Sequence, residues 1–180
     1  MRKLIIAALL VASFGTQAKD PVFSPNQIDN LNYAYQYGEQ FKKDGSIKDH
    51  TTRYDNKGMG YIFAAIAWHE SSAGANLAPK DGHHAYGMFQ NYLPTVRNRY
   101  AEKGVVISDR EIIKHLSKRE NSAAWAYEEL NYWLEKHDGN TRKALAAYNA
   151  GRKWKNGLKY ADAVLKKANY LKTQISIQEN

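Results

Sequence analysis

An unbroken apolar run constrains this chain most: Tyr61-Ile62-Phe63-Ala64-Ala65-Ile66-Ala67-Trp68, closed by His69-Glu70-Ser71-Ser72. The run is Ala-rich and lacks the alternation of a half-buried strand, so it predicts a helix, the most buried segment by composition. Glu70 then ends a buried helix, half in the core and half in whatever cleft that helix faces. Desolvation there disfavours the ionised form and raises the pKa. A carboxyl group still protonated near neutral pH can give its proton to a leaving group.

The segments around this helix are also read as helical. Ser24-Pro25-Asn26-Gln27 is a helix start, with Ser as cap, Pro in the first turn and Gln27 completing a capping box. Ile28, Leu31 and Tyr35 follow at helical spacing. Lys42 to Gly60 is polar and Gly-punctuated, a loop. Ser72 to Tyr86 holds Gly74, Pro79 and Gly82 and reads as a second loop with room for a short hairpin. Pro94 opens a helix that Gly104 ends. Ser108-Asp109-Arg110-Glu111 is another capping box, ahead of Ile112, Ile113 and Leu116. Asn121 is read as the cap of a helix ending at Gly139, and Thr141 as the cap of a short one ending at Gly151. A last helix carries Tyr160, Val164 and Leu165. The fold class expected is mainly α, one domain over residues 19–180.

Length and composition agree with a single globular domain: 180 residues, 43% hydrophobic and 24% charged. With 13 Tyr, 5 Phe and 4 Trp the chain is rich in rings that build a core or stack on sugars and bases. A formal charge of +8 favours acidic partners such as nucleic acid, an anionic membrane or an anionic cell-wall polymer. There is no cysteine, hence no disulfide. At the N-terminus, Arg2 and Lys3 precede an apolar stretch from Leu4 to Phe14 that is short for a membrane span, and small residues lead to Ala18. Residues 1–18 therefore read as a secretory signal peptide, cut near Ala18, which places the mature chain in the periplasm or outside the cell. Its loss lowers the formal charge from +8 to +6.

Three segments share the chemistry of one cleft. Cleaving a glycosidic bond requires a protonated leaving oxygen and support for an oxocarbenium-like sugar; one acid is indispensable, and a second carboxylate is usual unless the substrate supplies its own nucleophile. Glu70 suits the acid. Around Gly87 the backbone can approach a ligand closely, Met88 and Phe89 offer apolar contact, and Gln90 offers an amide to sugar hydroxyls. Tyr148 and Asn149 end a short helix and can aim a hydroxyl and an amide at the same place.

Glu70-Ser71, then Gly87-Met88-Phe89-Gln90, then Ala147-Tyr148-Asn149-Ala150-Gly151 resemble, in this order, the three motifs of the soluble lytic transglycosylase catalytic domain. The resemblance covers about Gly58 to Tyr170. It implies a lysozyme-like fold and cleavage of the β-1,4 bond between N-acetylmuramic acid and N-acetylglucosamine in peptidoglycan. Glu70 would act first as acid and then as base, while the muramoyl 6-hydroxyl attacks and leaves a 1,6-anhydro end. Ser71, Gly87, Met88, Gln90, Tyr148 and Asn149 would contact substrate, with Tyr148 near the catalytic carboxyl. The second motif more often reads Gly-Leu-Met-Gln, so Phe89 and not Met88 stands at the family's usual Met position.

The same residues admit other readings. His69, His83 and His84 lack metal-ligand spacing, so no metal and no cofactor are expected. Asp81 is the best second carboxylate and would make the enzyme a water-using muramidase; as part of Asp-Gly it reads better as a turn residue. Phe89 reads as core. The lysines and arginines from Arg142 to Lys167 fit an anionic wall better than nucleic acid, for which there is no motif. A non-catalytic wall-binding protein is the rival from another class. A monomer is expected, with secretion-system or virion partners left open.

Overall fold

The computed structural model describes residues 20–40, 58–79 and 82–174. The signal-peptide reading, the loop from Lys42 and the turn role of Asp81 fall wholly or mostly outside them. Helix α1 (Pro25–Gly38) starts as its sequence predicts: the Ser24 side chain accepts from the Gln27 N–H, and the Gln27 side chain caps the Ser24 N–H. Helix α2 (Gly60–Ser71) is the apolar run, with Ile62 to Ala67 all buried. A helix apolar on every side has no solvent face and must be wrapped, and α1, α5, α6 and α7 supply the wrapping.

α1 meets α2 at the closest approach the backbone allows. A Cβ on Gly38 would lie 2.7 Å from Phe63 Cβ, and one on Gly60 would lie 2.6 Å from the Tyr35 ring. At its far end α2 stops abruptly. Ser72 and Ala73 take left-handed φ values of 52° and 54°, and the Ala73 N–H reaches back to the Ala67 carbonyl at 3.0 Å. From α1, Gln27 Nε2 donates to the Ser72 carbonyl at 2.8 Å and Asn30 Nδ2 to that of Ala73 at 3.0 Å.

The expected hairpin is present and minimal. Strands β1 (Ala85–Tyr86) and β2 (Asn91–Tyr92) pair antiparallel, Ala85 opposite Tyr92 and Tyr86 opposite Asn91. Then come α3 (Leu93–Glu102), with Pro94 in its first turn, and α4 (Asp109–Leu116), opened by the Ser108–Glu111 capping box. α5 (Arg119–Lys136), α6 (Thr141–Ala150), a 3-10 segment (Gly151–Gly157) and α7 (Leu158–Gln174) complete the described chain.

Two cap assignments are corrected. α5 begins at Arg119, so Asn121 lies inside it; its side chain donates to the His115 carbonyl of the preceding turn at 3.1 Å instead. α6 is capped by Asn140, whose Oδ1 accepts from the Lys143 N–H at 3.0 Å, one residue before Thr141. On α7 the buried positions Ala161, Val164, Ala168 and Leu171 form a helical stripe. A smaller core of Leu93, Val96, Ile112 and Leu116 joins α3 to α4. Among the described residues no helix is long and apolar enough to cross a membrane.

Candidate active site

The hairpin turn Gly87–Gln90 is held by one polar side chain from each of three helices. From α2, the Ser71 hydroxyl donates to the Met88 carbonyl at 2.7 Å. From α5, Ser122 Oγ accepts from the Phe89 N–H at 3.1 Å and from Asn91 Nδ2 at 2.7 Å. From α6, the Tyr148 hydroxyl donates to the Phe89 carbonyl at 3.2 Å. Gly87 is required here by two observations: its φ is 81°, and a Cβ would come within 2.1 Å of the Leu116 carbonyl oxygen. The tip turns inward, so that Phe89 packs on Phe63 of α2 with ring centroids 4.4 Å apart.

Glu70 stands where two cavities meet. One, of about 390 Å³, is bounded by Glu70, His83, Gln90, Asn91, Tyr148 and Asn149 among others. The second, of about 460 Å³, lies on the other side and is bounded by His69, Glu70, Asn76, Leu77 and Gln90. Glu70 itself is half-buried. Tyr160 of α7 donates its hydroxyl to Glu70 Oε1 at 2.5 Å, a short charge-assisted geometry when the carboxyl is ionised. The Tyr160 ring is fixed from two sides. His69 meets it edge-on at 4.8 Å and Tyr148 lies nearly parallel at 6.4 Å.

Burial first, and then the charge of Glu70, push both the Tyr148 and Tyr160 hydroxyls well above the ordinary tyrosine value. Both therefore remain neutral donors across the working pH range. Lys167, one heptad beyond Tyr160 on α7, stands over the Trp68 ring at 4.5 Å. Its burial lowers its pKa, and the negative charge of Glu70 pulls it back up.

The predicted site residues divide by place. Glu70, Gln90, Tyr148 and Asn149 line the same cavity. Ser71 and Met88, expected to contact substrate, are 1% and 2% exposed and hold the wall from behind. Ser71 has its hydroxyl committed to the Ala67 and Met88 carbonyls and accepts from the Gly74 N–H. Gly87 likewise shapes the turn from a buried position. Gln90 bridges within the wall, its Nε2 donating to the carbonyls of Gly87 at 3.0 Å and Leu77 at 3.3 Å. Tyr148 lines the cavity and feels the charge of Glu70, and Tyr160 donates its hydroxyl to the carboxyl. Phe89 is core, as its sequence predicts. His83 lines the cleft, and among the described residues no three His, Asp or Glu side chains gather as metal ligands do.

Sequence reasoning missed Tyr160, Lys167, Arg99 and Glu129, all in or beside the groove. The signal for the first two was available: a spacing of seven puts Tyr160 and Lys167 on one face of α7. Arg99 and Glu129 had no such signal, because they come from separate helices and meet only in the fold.

The Transglycosylase SLT domain matches residues 45–170. The chain is 55% identical over 172 residues to an uncharacterized 20.7 kDa protein from the vs-regB intergenic region of Enterobacteria phage T4, covering 96% of this chain and 94% of that one. No solved structure matches. The chain belongs to the transglycosylase SLT family, and its helical fold with one short hairpin is the lysozyme-like fold of that family.

Proposed function

We propose that this protein is a peptidoglycan lytic transglycosylase in which Glu70 is the sole acid and base. The observation that carries the reading is Glu70 itself, set at the meeting of two cavities with its carboxyl oriented by Tyr160 at 2.5 Å. Glu70 lies in the last turn of α2, and in its protonated form it donates a proton to the oxygen joining C1 of N-acetylmuramic acid to C4 of N-acetylglucosamine. The C1–O bond breaks and its electron pair leaves with that oxygen, freeing a 4-hydroxyl. The remaining sugar is oxocarbenium-like. The carboxylate now on Glu70 is stabilised by the bond from Tyr160 and by the charge of Lys167. The muramoyl 6-hydroxyl attacks C1 and its proton returns to Glu70. The product is a 1,6-anhydro end, no water is consumed, and Glu70 ends the cycle protonated.

A second carboxylate poised to activate water would favour a muramidase. Glu129 lines the same cavity, but Arg99 binds one of its oxygens and Trp133 the other. The transglycosylase reading also explains the basic charge, as attraction to an anionic wall, and places the mature chain on the wall side of the membrane after cleavage near Ala18. The test is a Glu70→Gln variant on purified peptidoglycan. Loss of one acid–base group slows clearing by about 10²- to 10⁴-fold. Clearing at the wild-type rate would remove Glu70 from the mechanism. Binding without cleavage by the wild type would make the protein a wall-binding module.

A further inference from the structure

Helix α7 presents two polar side chains to the end of α2 from one face. Tyr160 reaches Glu70, and Lys167 stands about two turns further on. Side chains lean toward the N-terminus of their own helix, so the lysine stem leans back toward Tyr160. Its ammonium lies over the Trp68 ring at 4.5 Å, and that ring is boxed by Phe23 edge-on at 5.1 Å and by Tyr170 at 5.7 Å. Lys167 is half-buried, whereas its neighbour Lys166 is exposed. Among the described residues no carboxylate forms an ion pair with Lys167. A cation drawn partly out of water without such a pair is costly, and a ring face offsets only part of the cost. Asp20, another acid at this end of α7, is engaged with Tyr170. The charge that acts favourably on Lys167 is that of Glu70.

We infer that Lys167 is a positioning residue that acts through Glu70, as the counter-charge of its carboxylate, and so sets how far up in pH Glu70 still holds a proton to give. This rests on the reading above, in which Glu70 must start protonated. Of the other groups facing Glu70, Tyr160 and Tyr148 are neutral donors and His69 lies against the Tyr160 ring. Across the cavity stand His83 and Glu129, the latter bound by Arg99. A positive charge beside a carboxyl favours its ionised form. Lys167 therefore makes Glu70 a stronger acid and ends its protonated range at a lower pH.

The test titrates the Glu70 carboxyl by ¹³C NMR in the wild-type protein and in single variants, beside the pH profile of peptidoglycan cleavage. Lys167→Met keeps an unbranched stem over Trp68 and removes the charge, with Lys167→Gln as a second removal. In both, the Glu70 midpoint rises by about one pH unit, the scale of one neighbouring opposite charge. The alkaline limb of kcat moves up with it, and the plateau falls about threefold, because a weaker acid gives up its proton less readily. Lys167→Arg keeps the wild-type midpoint and profile. Lys166→Met, an equal change of net charge one residue away, moves neither. A midpoint unmoved by Lys167→Met and Lys167→Gln, one moved equally by Lys166→Met, or Lys167→Arg behaving as Lys167→Met overturns the proposal. The two readings fail separately. A midpoint that rises as stated in a protein that cleaves nothing ends the transglycosylase reading alone, whereas cleavage with the midpoint unmoved ends this one alone.

Discussion

A tyrosine hydroxyl helps to orient the Glu70 carboxyl. Tyr160 donates to it at 2.5 Å from 90 residues further along the chain. A Tyr160→Phe variant keeps the ring packing on His69 and Tyr148 and loses only that bond. Its kcat falls about 10²- to 10³-fold with KM nearly unchanged, a loss on the scale of one donor removed from a developing charge. Unchanged kcat would reduce Tyr160 to packing. Ser71 acts differently, because its hydroxyl ties α2 to the hairpin and not to substrate. Ser71→Ala leaves the Met88 carbonyl buried without that donor, costing about 1–3 kcal/mol of stability by denaturant unfolding. Cleavage by the folded fraction persists. Glu70 was legible in the sequence because an apolar run that ends on a carboxylate is unusual. The bond from Tyr160 was not, since it depends on how α7 lies against α2.

The two capping boxes were read correctly. Ser24 and Ser108 cap through side chains three residues away, a purely local arrangement. Replacing Ser108 with Ala costs about 1 kcal/mol of stability. Asn121 misled because a capping residue also fits inside a helix when a carbonyl of the preceding turn is within reach. The hairpin is the element on which the site depends most. Gly87→Ala forces a Cβ toward the Leu116 carbonyl and a left-handed φ on an alanine, so the variant loses several kcal/mol, about 1–3 of them from backbone strain alone. Thermal unfolding measures this. A Tm within a degree or two of wild type would mean the turn is not held as described.

For the whole molecule, the buried tyrosines set the alkaline limit. Tyr148 and Tyr160 have folded pKa values well above 10, while unfolded tyrosine titrates near 10. Their contribution to stability is complete below pH 10 and is lost as pH rises beyond it, because the unfolded chain sheds protons that the native state retains. Denaturation midpoints therefore drop above pH 10, and the drop is smaller in a protein carrying Tyr160→Phe. The overall architecture followed from local patterns, an all-round apolar helix and amphipathic partners about it. The groove's charged end did not, because Arg99, Glu129 and Trp133 become neighbours only when α3 packs on α5.

The central claim is that a sugar hydroxyl, released from its proton by Glu70, replaces water as nucleophile. Digesting purified peptidoglycan in ¹⁸O-water and weighing the products tests it directly. The account predicts anhydro ends one water lighter than hydrolysis products, free of ¹⁸O, and formed about 10²- to 10⁴-fold more slowly with Glu70→Gln. Reducing ends that carry ¹⁸O, or the same products from the variant at the wild-type rate, would contradict it.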